Sequence, residues 1–440
     1  MHVCLLFDGR FSTDERARSH AVALHEAGHT ITVVCRGASH DRDRETIDGI
    51  DVRRLPDETL YAGLKGKLDG VRYALQMVNP AWLRAVEEIA DERAIDACGV
   101  TDLRLVKTGL RVGDAHDVPV IADLPGNTPA LERRRNRTEG WLDRFRNPRA
   151  LARRLFHSPW RQGRLETGPL DGVDRLVTTC EEARARYVRA VGVDPERVSV
   201  VHDTTSALDT FETSGHVDRG LGFDPEAAFV VTAFANGPFD TDLERVVTAA
   251  ARAADEVANL QLVLVGDLDR ETTDALETQA RRELAGGRVT FRTEIDPDRL
   301  PTYVVASDVC VFPTHPSPVA ETAIPPTLFR ALATGVPVVT TDVGPASRIV
   351  GEADAGRVIP TNDRESLTAA LVALADPETA AEHGANGRRA VESRYDAERD
   401  ASRLASIYES LSWTVIDEEG SDAETVSDRR TARTGGSTAP

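Results

Sequence analysis

Lysine is almost missing from this chain. Lys65, Lys67 and Lys107 are its only lysines, and arginine supplies the remainder of 53 basic residues, against 72 acidic ones. The formal net charge of −19 argues against nonspecific nucleic-acid binding by the molecule as a whole, because a polyanion is repelled by a surface of its own sign. Acid in place of lysine keeps a surface hydrated in concentrated salt, so the composition suggests a halophilic source; an acidic protein from a high-GC mesophile is the alternative. Cysteine is scarce as well. Cys4, Cys35, Cys98, Cys180 and Cys310 are odd in number, widely spaced and without a C-x-x-C pair, which speaks against a disulfide framework or a zinc site and predicts buried free thiols. His25 and His29 have helical spacing but flank Gly28, so they read as the end of a helix rather than as metal ligands. Long apolar runs are absent too: none approaches the roughly 18 residues that cross a bilayer, and Met1–Phe7 leads straight into a strand. Neither a signal peptide nor a spanning helix is expected, and the chain reads as cytoplasmic.

What is present is alternation. Apolar runs at Val3–Phe7, Thr30–Cys35, Ile50–Arg53, Val118–Ala122, Arg175–Thr179 and Val198–His202 predict strands. Between the first two, Ala17, Ala21, Val22 and Leu24 make a helical face over Glu15–Glu26, ended by Gly28. A second series follows the polar stretch Ser206–Asp224, with strands at Phe229–Ala233, Gln261–Val265, Val289–Phe291, Val309–Phe312, Pro337–Thr341 and Arg357–Ile359. Asp296-Pro297 and Asp376-Pro377 each set an N-cap before a helix-starting proline. Alternation of this kind builds parallel sheets. The expected architecture is α/β with two similar domains, residues 1–210 and 211–395. A closing helix over 396–412 carries Leu404, Ile407, Tyr408 and Leu411 on one face, and 413–440 reads as a disordered acidic and polar tail.

Ser307–Val350 is the most informative stretch. A strand ends at Pro313, a Pro/Ser loop follows, a helical run from Thr327 to Ala333 stops at Gly335, and a new strand begins at Pro337. In doubly wound sheets such loops hold ligands, and helix N-termini there offer free N–H groups to phosphates.

This segment resembles the nucleotide-sugar-binding region of retaining glycosyltransferases of family 4. Other landmarks are similar in the expected order: FDGRFSTDERARSHAVALHEAGHTITVVCR at the start, VTDLRLVKTGLRVGDAHDVPVIADLPGNTP, VDRLVTTCEEARARYVRAVGVDPERVSVVHD, and LQLVLVGD followed by VTFRTEIDPDRLPTYVVASDVCVFPT. The likeness covers the chain to about Leu411. It implies two facing Rossmann-like domains with parallel sheets, the GT-B arrangement, and a sugar moved with retention from a nucleotide-diphosphate donor to a glycan or lipid-linked acceptor. It implies donor binding mainly by the second domain and no resident metal or cofactor.

Several positions depart from the family pattern. The Gly-Arg/Lys phosphate clamp belongs where this chain has TAFANGPFDTDLERVV; Gly237 is available for the turn, but no cation follows before Arg245. The second carboxylate of the donor site is replaced by Arg330, with Thr322 seven intervening residues earlier and Glu321 beside it; Thr327 stands where a subgroup has lysine. Arg348, in the loop after Gly344, occupies a place where the family often has Glu. The resemblance therefore nominates Gly237, Thr322, Thr327, Arg330, Gly344 and Arg348 for the donor, with the two arginines as a substitute clamp, since guanidinium groups bind phosphate bidentately. The alternative places Arg330 on a solvated helix face and pairs Arg348 with Glu352. Glu321 is nominated to hold a sugar hydroxyl, or else serves as a first-turn carboxylate. Asp102 is nominated as a catalytic carboxylate, or else caps a helix; Asp8 and Arg10 should face the same cleft. Thr101 stands in place of the family's catalytic-loop His, Gly126 in place of a Glu, and Asp203 in place of a frequent Asn.

Between Arg133 and Arg164, arginines interleave with Trp141, Phe145, Leu151, Leu155, Phe156 and Trp160. Such a segment suits an anionic membrane surface, and hence peripheral attachment at the inner face; the alternative is a flap over the core. The expected function is glycosyl transfer. A catalytically impaired homologue that binds a partner is the alternative, and a sugar-nucleotide epimerase of the same fold is a weaker one.

Overall fold

The computed structural model describes residues 1–38, 40–56, 63–138, 158–204, 223–224, 227–235, 239–284, 288–293 and 299–416. They form two units. One comprises Met1–His202 with the chain from Arg399 onward, the other Asp203–Glu398.

The first unit is built on an eight-stranded sheet of β1 (His2–Leu6), β2 (Thr30–Gly37), β3 (Arg44–Ile47), β4 (Ile50–Pro56), β5 (Ala97–Val100), β6 (Val120–Asp123), β7 (Arg175–Thr178) and β8 (Val198–Val200), ordered β3-β4-β2-β1-β5-β6-β7-β8. Every neighbouring pair is parallel except β3 and β4. That antiparallel hairpin was not expected from hydrophobic pattern. Its turn is Asp48-Gly49, both at positive φ (51° and 81°), the geometry a two-residue hairpin demands.

Helices cover both faces, so β1 is buried along its whole length, as parallel strands are. One face packs Trp82, Val86 and Ile89 of the helix Pro80–Glu92 over Cys98 and Val120. The other packs Ala17, Ala21 and Leu24 of the helix Glu15–Glu26 together with Leu404, Ile407, Tyr408 and Leu411. These last four belong to Ala397–Ile416, which runs past the end expected near Leu411. Strand β5 escaped prediction because it is short and contains Gly99. A Cβ at Gly99 would lie 2.3 Å from Leu5 and 2.6 Å from the Tyr408 hydroxyl oxygen, so the glycine leaves the room that the last helix fills.

The second unit holds β9 (Phe229–Ala235), β10 (Leu260–Gly266), β11 (Val289–Arg292), β12 (Val309–Phe312), β13 (Val338–Thr341) and β14 (Gly356–Ile359), all parallel, in the order β11-β10-β9-β12-β13-β14. Each expected strand is found. Asp376 caps the helix Pro377–Arg394 by accepting from the Thr379 amide; Asp296-Pro297 and the tail beyond Ile416 lie outside the described residues. All five cysteines are free and buried. Burial pushes the Cys4 and Cys310 thiols up to about 12, which leaves them protonated and inert.

Leu404 is 2% exposed, so Leu404→Ala should destabilise the first unit by about 2–5 kcal/mol. The described tryptophan side chains, Trp82 and Trp160, belong to that unit. Urea unfolding followed by tryptophan fluorescence should therefore shift to lower midpoint; an unmoved transition would show that the helix contributes nothing to this core.

Candidate functional site

In the second unit the strand order reverses between β9 and β12, and ligands in open α/β sheets bind outside the strand ends at such a point. Gly237, with residues 236 and 238, lies outside the described residues. The loops that follow are tied to each other. Thr241 forms an antiparallel bridge with Thr314, the Asp242 amide donates to the Pro313 carbonyl at 2.8 Å, and the His315 amide donates to the Asp240 carbonyl at 2.8 Å. Thr341 at the end of β13 donates its hydroxyl to the Thr314 carbonyl at 2.6 Å. A small apolar cluster of Phe239, Ala320 and Val343 draws one residue from each loop after β9, β12 and β13.

Gly344 opens the helix Gly344–Ala353 at φ 60°. A Cβ there would lie 2.1 Å from the Ala320 carbonyl oxygen and 3.1 Å from the Glu321 Cα, so no larger residue allows this approach. Glycine at this position thus brings the turn Ser317–Thr322 onto a helix N-terminus that has no side-chain cap. The structure brings Glu321, Thr322 and Gly344 together. Glu321 is exposed, whereas Thr322 is buried and donates its hydroxyl to the Pro318 carbonyl at 2.9 Å. Of that pair, Glu321 is the group open to a ligand, and Thr322 shapes the turn.

Thr327 and Arg330 sit one turn apart in the helix Pro326–Thr334, which also lacks a side-chain cap. Thr327 is fully buried and its hydroxyl has no hydrogen-bond partner. Such an orphan costs stability unless something outside the chain satisfies it. Arg330 is 7% exposed; a solvated helix face is therefore not its environment. Arg348, one turn beyond Gly344, pairs with Glu352 at 3.5 Å and hydrogen-bonds Tyr395. Its charge is taken up within the chain, which is the alternative reading of that residue. Arg245 is not a displaced phosphate clamp. It is buried, and its guanidinium donates to the carbonyls of Pro360, Thr361 and Asp363, anchoring the loop after β14.

In the first unit the order reverses between β1 and β5, and charge fills that point. Asp8, after β1, receives Arg36 from the end of β2 and Arg104 at 3.3 Å. Asp102, after β5, caps the short 3-10 turn Leu103–Leu105 and accepts from the Arg104 amide at 2.8 Å and its Nε at 2.9 Å. The capping role is thus realised, with the carboxylate bound to Arg104. Burial lowers the Arg104 pKa by itself, and the flanking Asp102 and Asp8 carboxylates more than reverse this. Arg10 is exposed beside this cluster.

A second cluster was not anticipated. Asp123 at the end of β6 accepts from Arg16 Nη2 at 2.7 Å and Nε at 3.0 Å, and from His20 Nδ1 at 2.9 Å. Arg16 and His20 are spaced i, i+4 on the helix Glu15–Glu26, and that spacing was the available signal. His25 lies in the last turn of the same helix and His29 follows its end; His29 is buried, and burial lowers its pKa. Among the described residues no group of three His, Cys, Asp or Glu is placed to hold a metal, and no helix is long and apolar enough to cross a membrane.

Residues 13–204 match the family model of a glycosyl transferase 4-like domain, and residues 230–376 that of glycosyl transferases group 1. The chain belongs to the family 4-like glycosyltransferases. Among curated relatives of this glycosyltransferase chain, the phosphatidyl-myo-inositol mannosyltransferase of Mycolicibacterium smegmatis is 25% identical over 90% of this chain and 89% of that protein. The mannosyltransferase LpcC of lipopolysaccharide core biosynthesis in Rhizobium leguminosarum is 35% identical over 19% of this chain and 24% of its own length. The D-inositol 3-phosphate glycosyltransferase of Rhodococcus opacus is 30% identical over 46% and 45%. The matched segments span less than half of these last two relatives. Solved structures share the fold: sucrose-phosphate synthase of Thermosynechococcus elongatus has a TM-score of 0.66 at 19% identity, covering 93% of this chain and 99% of that one. HepE of Anabaena, solved in complex with UDP, has a TM-score of 0.65 at 16% identity, covering 93% and 100%.

The buried Asp123 cluster has a pH signature. Burial alone raises the Asp123 pKa, but Arg16 and His20 override it and hold the carboxyl well below the usual range. A depressed carboxyl pKa contributes stability that is complete above its unfolded value of about 3.9 and is lost as pH falls below it. Asp123→Asn should remove about 3–5 kcal/mol at neutral pH, because Arg16 is left buried without its counter-ion, and should flatten the acid limb of stability. Equal neutral-pH stability for the two proteins in urea would refute this role.

Proposed function

We propose that this chain moves a glycosyl group, with retention, from a nucleotide-diphosphate sugar to a glycan or lipid-linked acceptor, without a resident metal or cofactor. Family membership supports the reaction class. The observation that carries the donor reading is the pair of uncapped helix N-termini in the second unit, Gly344–Ala353 and Pro326–Thr334, beside an exposed Glu321 and the orphan hydroxyl of Thr327. Helix N-termini favour phosphate through free N–H groups and the aligned dipole, which supplies part of what the missing cations would give. Thr327 then donates to the donor, Glu321 holds a sugar hydroxyl while positive charge develops at the anomeric carbon, and buried Arg330 contributes a fixed positive charge. HepE binding UDP fits a donor of this class.

In the first unit Asp102 acts through Arg104, fixing a guanidinium at the switch point rather than reacting itself. With two arginines against two aspartates, that cluster suits an acceptor bound by hydrogen bonds more than by net charge.

Calorimetric titration with a panel of nucleoside diphosphates tests the donor reading, and one base should bind. Thr327→Val keeps the side-chain shape and removes the orphan. It should leave the fold as stable or slightly more so, while weakening the diphosphate about tenfold. Arg330→Ala should cost about 1.5–3 kcal/mol of diphosphate affinity, and Arg348→Ala much less, given its partners Glu352 and Tyr395. Glu321→Gln should lower transfer of the sugar with the diphosphate affinity unchanged. A parent protein that binds no nucleoside diphosphate at any salt concentration would overturn the proposal.

A further inference from the structure

An imidazole and a carboxylate straddle the switch point of the second unit. His315 lies in the loop after β12 and Asp242 in the loop after β9, the two strands between which the order reverses. His315 Nε2 stands 3.9 Å from Asp242 Oδ2. The backbone on both sides is fixed: the His315 amide donates to the Asp240 carbonyl and the Asp242 amide to the Pro313 carbonyl, each at 2.8 Å, with the Thr241–Thr314 bridge beside them. The imidazole is nevertheless 48% exposed and the carboxylate 28%. The chain therefore sets the pair in place and leaves it open to a ligand.

Asp242 makes this point unlike the other helix N-termini of the site. It caps the helix Leu243–Ala253 by accepting from the Arg245 amide at 3.1 Å, whereas Pro326–Thr334 and Gly344–Ala353 have no side-chain cap. A capping carboxylate satisfies amides and a dipole that would otherwise meet a phosphate. It also puts a negative charge where the topology of the sheet places a ligand, so a diphosphate is repelled unless that charge is offset.

The surrounding loops hold almost nothing that could offset it. Those after β9, β10, β12 and β13, residues 236–242, 267–269, 313–325 and 342–343, contain Asp240, Asp242, Asp267, Asp269, Glu321 and Asp342. They contain no lysine, no arginine and one histidine, His315. The charged groups on the elements packed against His315 are Asp240 and Asp242 after β9, Arg245 in the helix that follows, and Asp342 after β13. Arg245 is committed to the carbonyls of Pro360, Thr361 and Asp363, and Asp342 accepts from the Thr361 amide at 2.8 Å. That leaves His315 as the base within ion-pair distance of Asp242.

We propose that His315, when protonated, neutralises Asp242 and donates a hydrogen bond to the diphosphate of the donor, so that one proton controls donor binding. The proposal rests on the nucleotide-diphosphate sugar reading above, and it assigns charge lost with the phosphate clamp to a residue on a different loop. An imidazolium donates from both ring nitrogens, so one can face Asp242 while the other meets a phosphate oxygen. Imidazole is the side chain whose ordinary charge change falls between pH 5 and 8. The diphosphate of a sugar nucleotide keeps its charge over that range, because it has no terminal phosphate to titrate.

The test is calorimetric titration of the full chain with UDP-glucose, GDP-mannose and ADP-glucose at about pH 6 and about pH 8.5, in the lowest salt that keeps the parent folded, since salt screens exposed charges. The parent should bind one of them at least about fivefold more tightly at the lower pH. His315→Gln keeps a hydrogen-bonding side chain without the charge; it should bind about tenfold more weakly than the parent at the lower pH and lose the dependence on pH. His315→Lys supplies a permanent cation and should bind with similar affinity at both pH values, tighter than the parent at the higher one. A merely structural role for the ring would give neither the pH dependence nor this rescue. Urea midpoints of both variants should match the parent's, because the side chain is half exposed. A parent with equal affinity at both pH values, or a glutamine variant as tight as the parent at the lower one, overturns the proposal and leaves the donor reading standing. A parent that binds none of the three also overturns it, and the nucleoside diphosphate titration then decides whether the donor reading falls with it.

Discussion

The ligand end of the second sheet depends on one contact between backbones: the Ala320 carbonyl resting against the Cα of Gly344. It is possible because Gly344 lacks a Cβ and adopts positive φ. Through it, the turn that carries Glu321 is placed at a helix N-terminus, and Phe239, Ala320 and Val343 close over each other to seal the base of three loops. The Thr241–Thr314 bridge holds the same loops from the other side. The polar side chains of the site are therefore carried by backbone that has little freedom to move, which is what positioning a reacting group requires. The glycine and proline skeleton of this region persists although the charged side chains expected on it do not.

The first unit solves a different problem at its own switch point. Four charged groups, Asp8, Arg36, Arg104 and Asp102, occupy it in alternation, and each carboxylate there meets at least one guanidinium. A buried carboxylate is tolerated when paired and hydrogen-bonded, and the pairing fixes Arg36 and Arg104, each roughly one-fifth exposed, at the strand ends. The separate Arg16–Asp123–His20 cluster ties the first helix to β6. Both clusters lie on the ligand-facing side of the sheet, where irregular loops alone would leave the geometry loose.

Much of the fold was legible because its strands are apolar on both faces and its helices have capping residues. The central strands β9, β10, β12 and β13 were readable for that reason, the edge strands β11 and β14 from shorter apolar pairs, and the helix after Asp376 from its cap. Strand β5 was not, since Ala97–Val100 is four residues long and its glycine answers to a helix some three hundred residues later in the chain. The β3–β4 hairpin was marked by Asp48-Gly49, but its outer strand, Arg44–Ile47, holds a single apolar residue, Ile47, and so shows no strand pattern. For the site, the family resemblance led to Glu321, Thr327, Arg330 and Gly344, yet it gave no access to their burial. The solvated-face alternative for Arg330 and an open role for Thr322 fail on packing that no local pattern encodes. The Glu352 partner of Arg348 was legible because i, i+4 neighbours meet on a helix. The links that close the charge clusters of the first unit were not, because Arg104 meets Asp8 and Arg16 meets Asp123 across more than ninety positions.

The closing helix has a consequence for how the molecule is made. Leu404, Ile407, Tyr408 and Leu411 complete a core whose other members lie before His202, and the Tyr408 hydroxyl takes the room that Gly99 leaves by lacking a side chain. During synthesis, the amino-terminal unit emerges first but cannot close until the whole of Asp203–Glu398 has followed it. Domains tend to fold as units as they leave the ribosome. Here the later unit is complete first, and the earlier one waits with part of its sheet uncovered. The order of birth and the order of completion are reversed, and the interval between them is the time taken to translate almost half the protein.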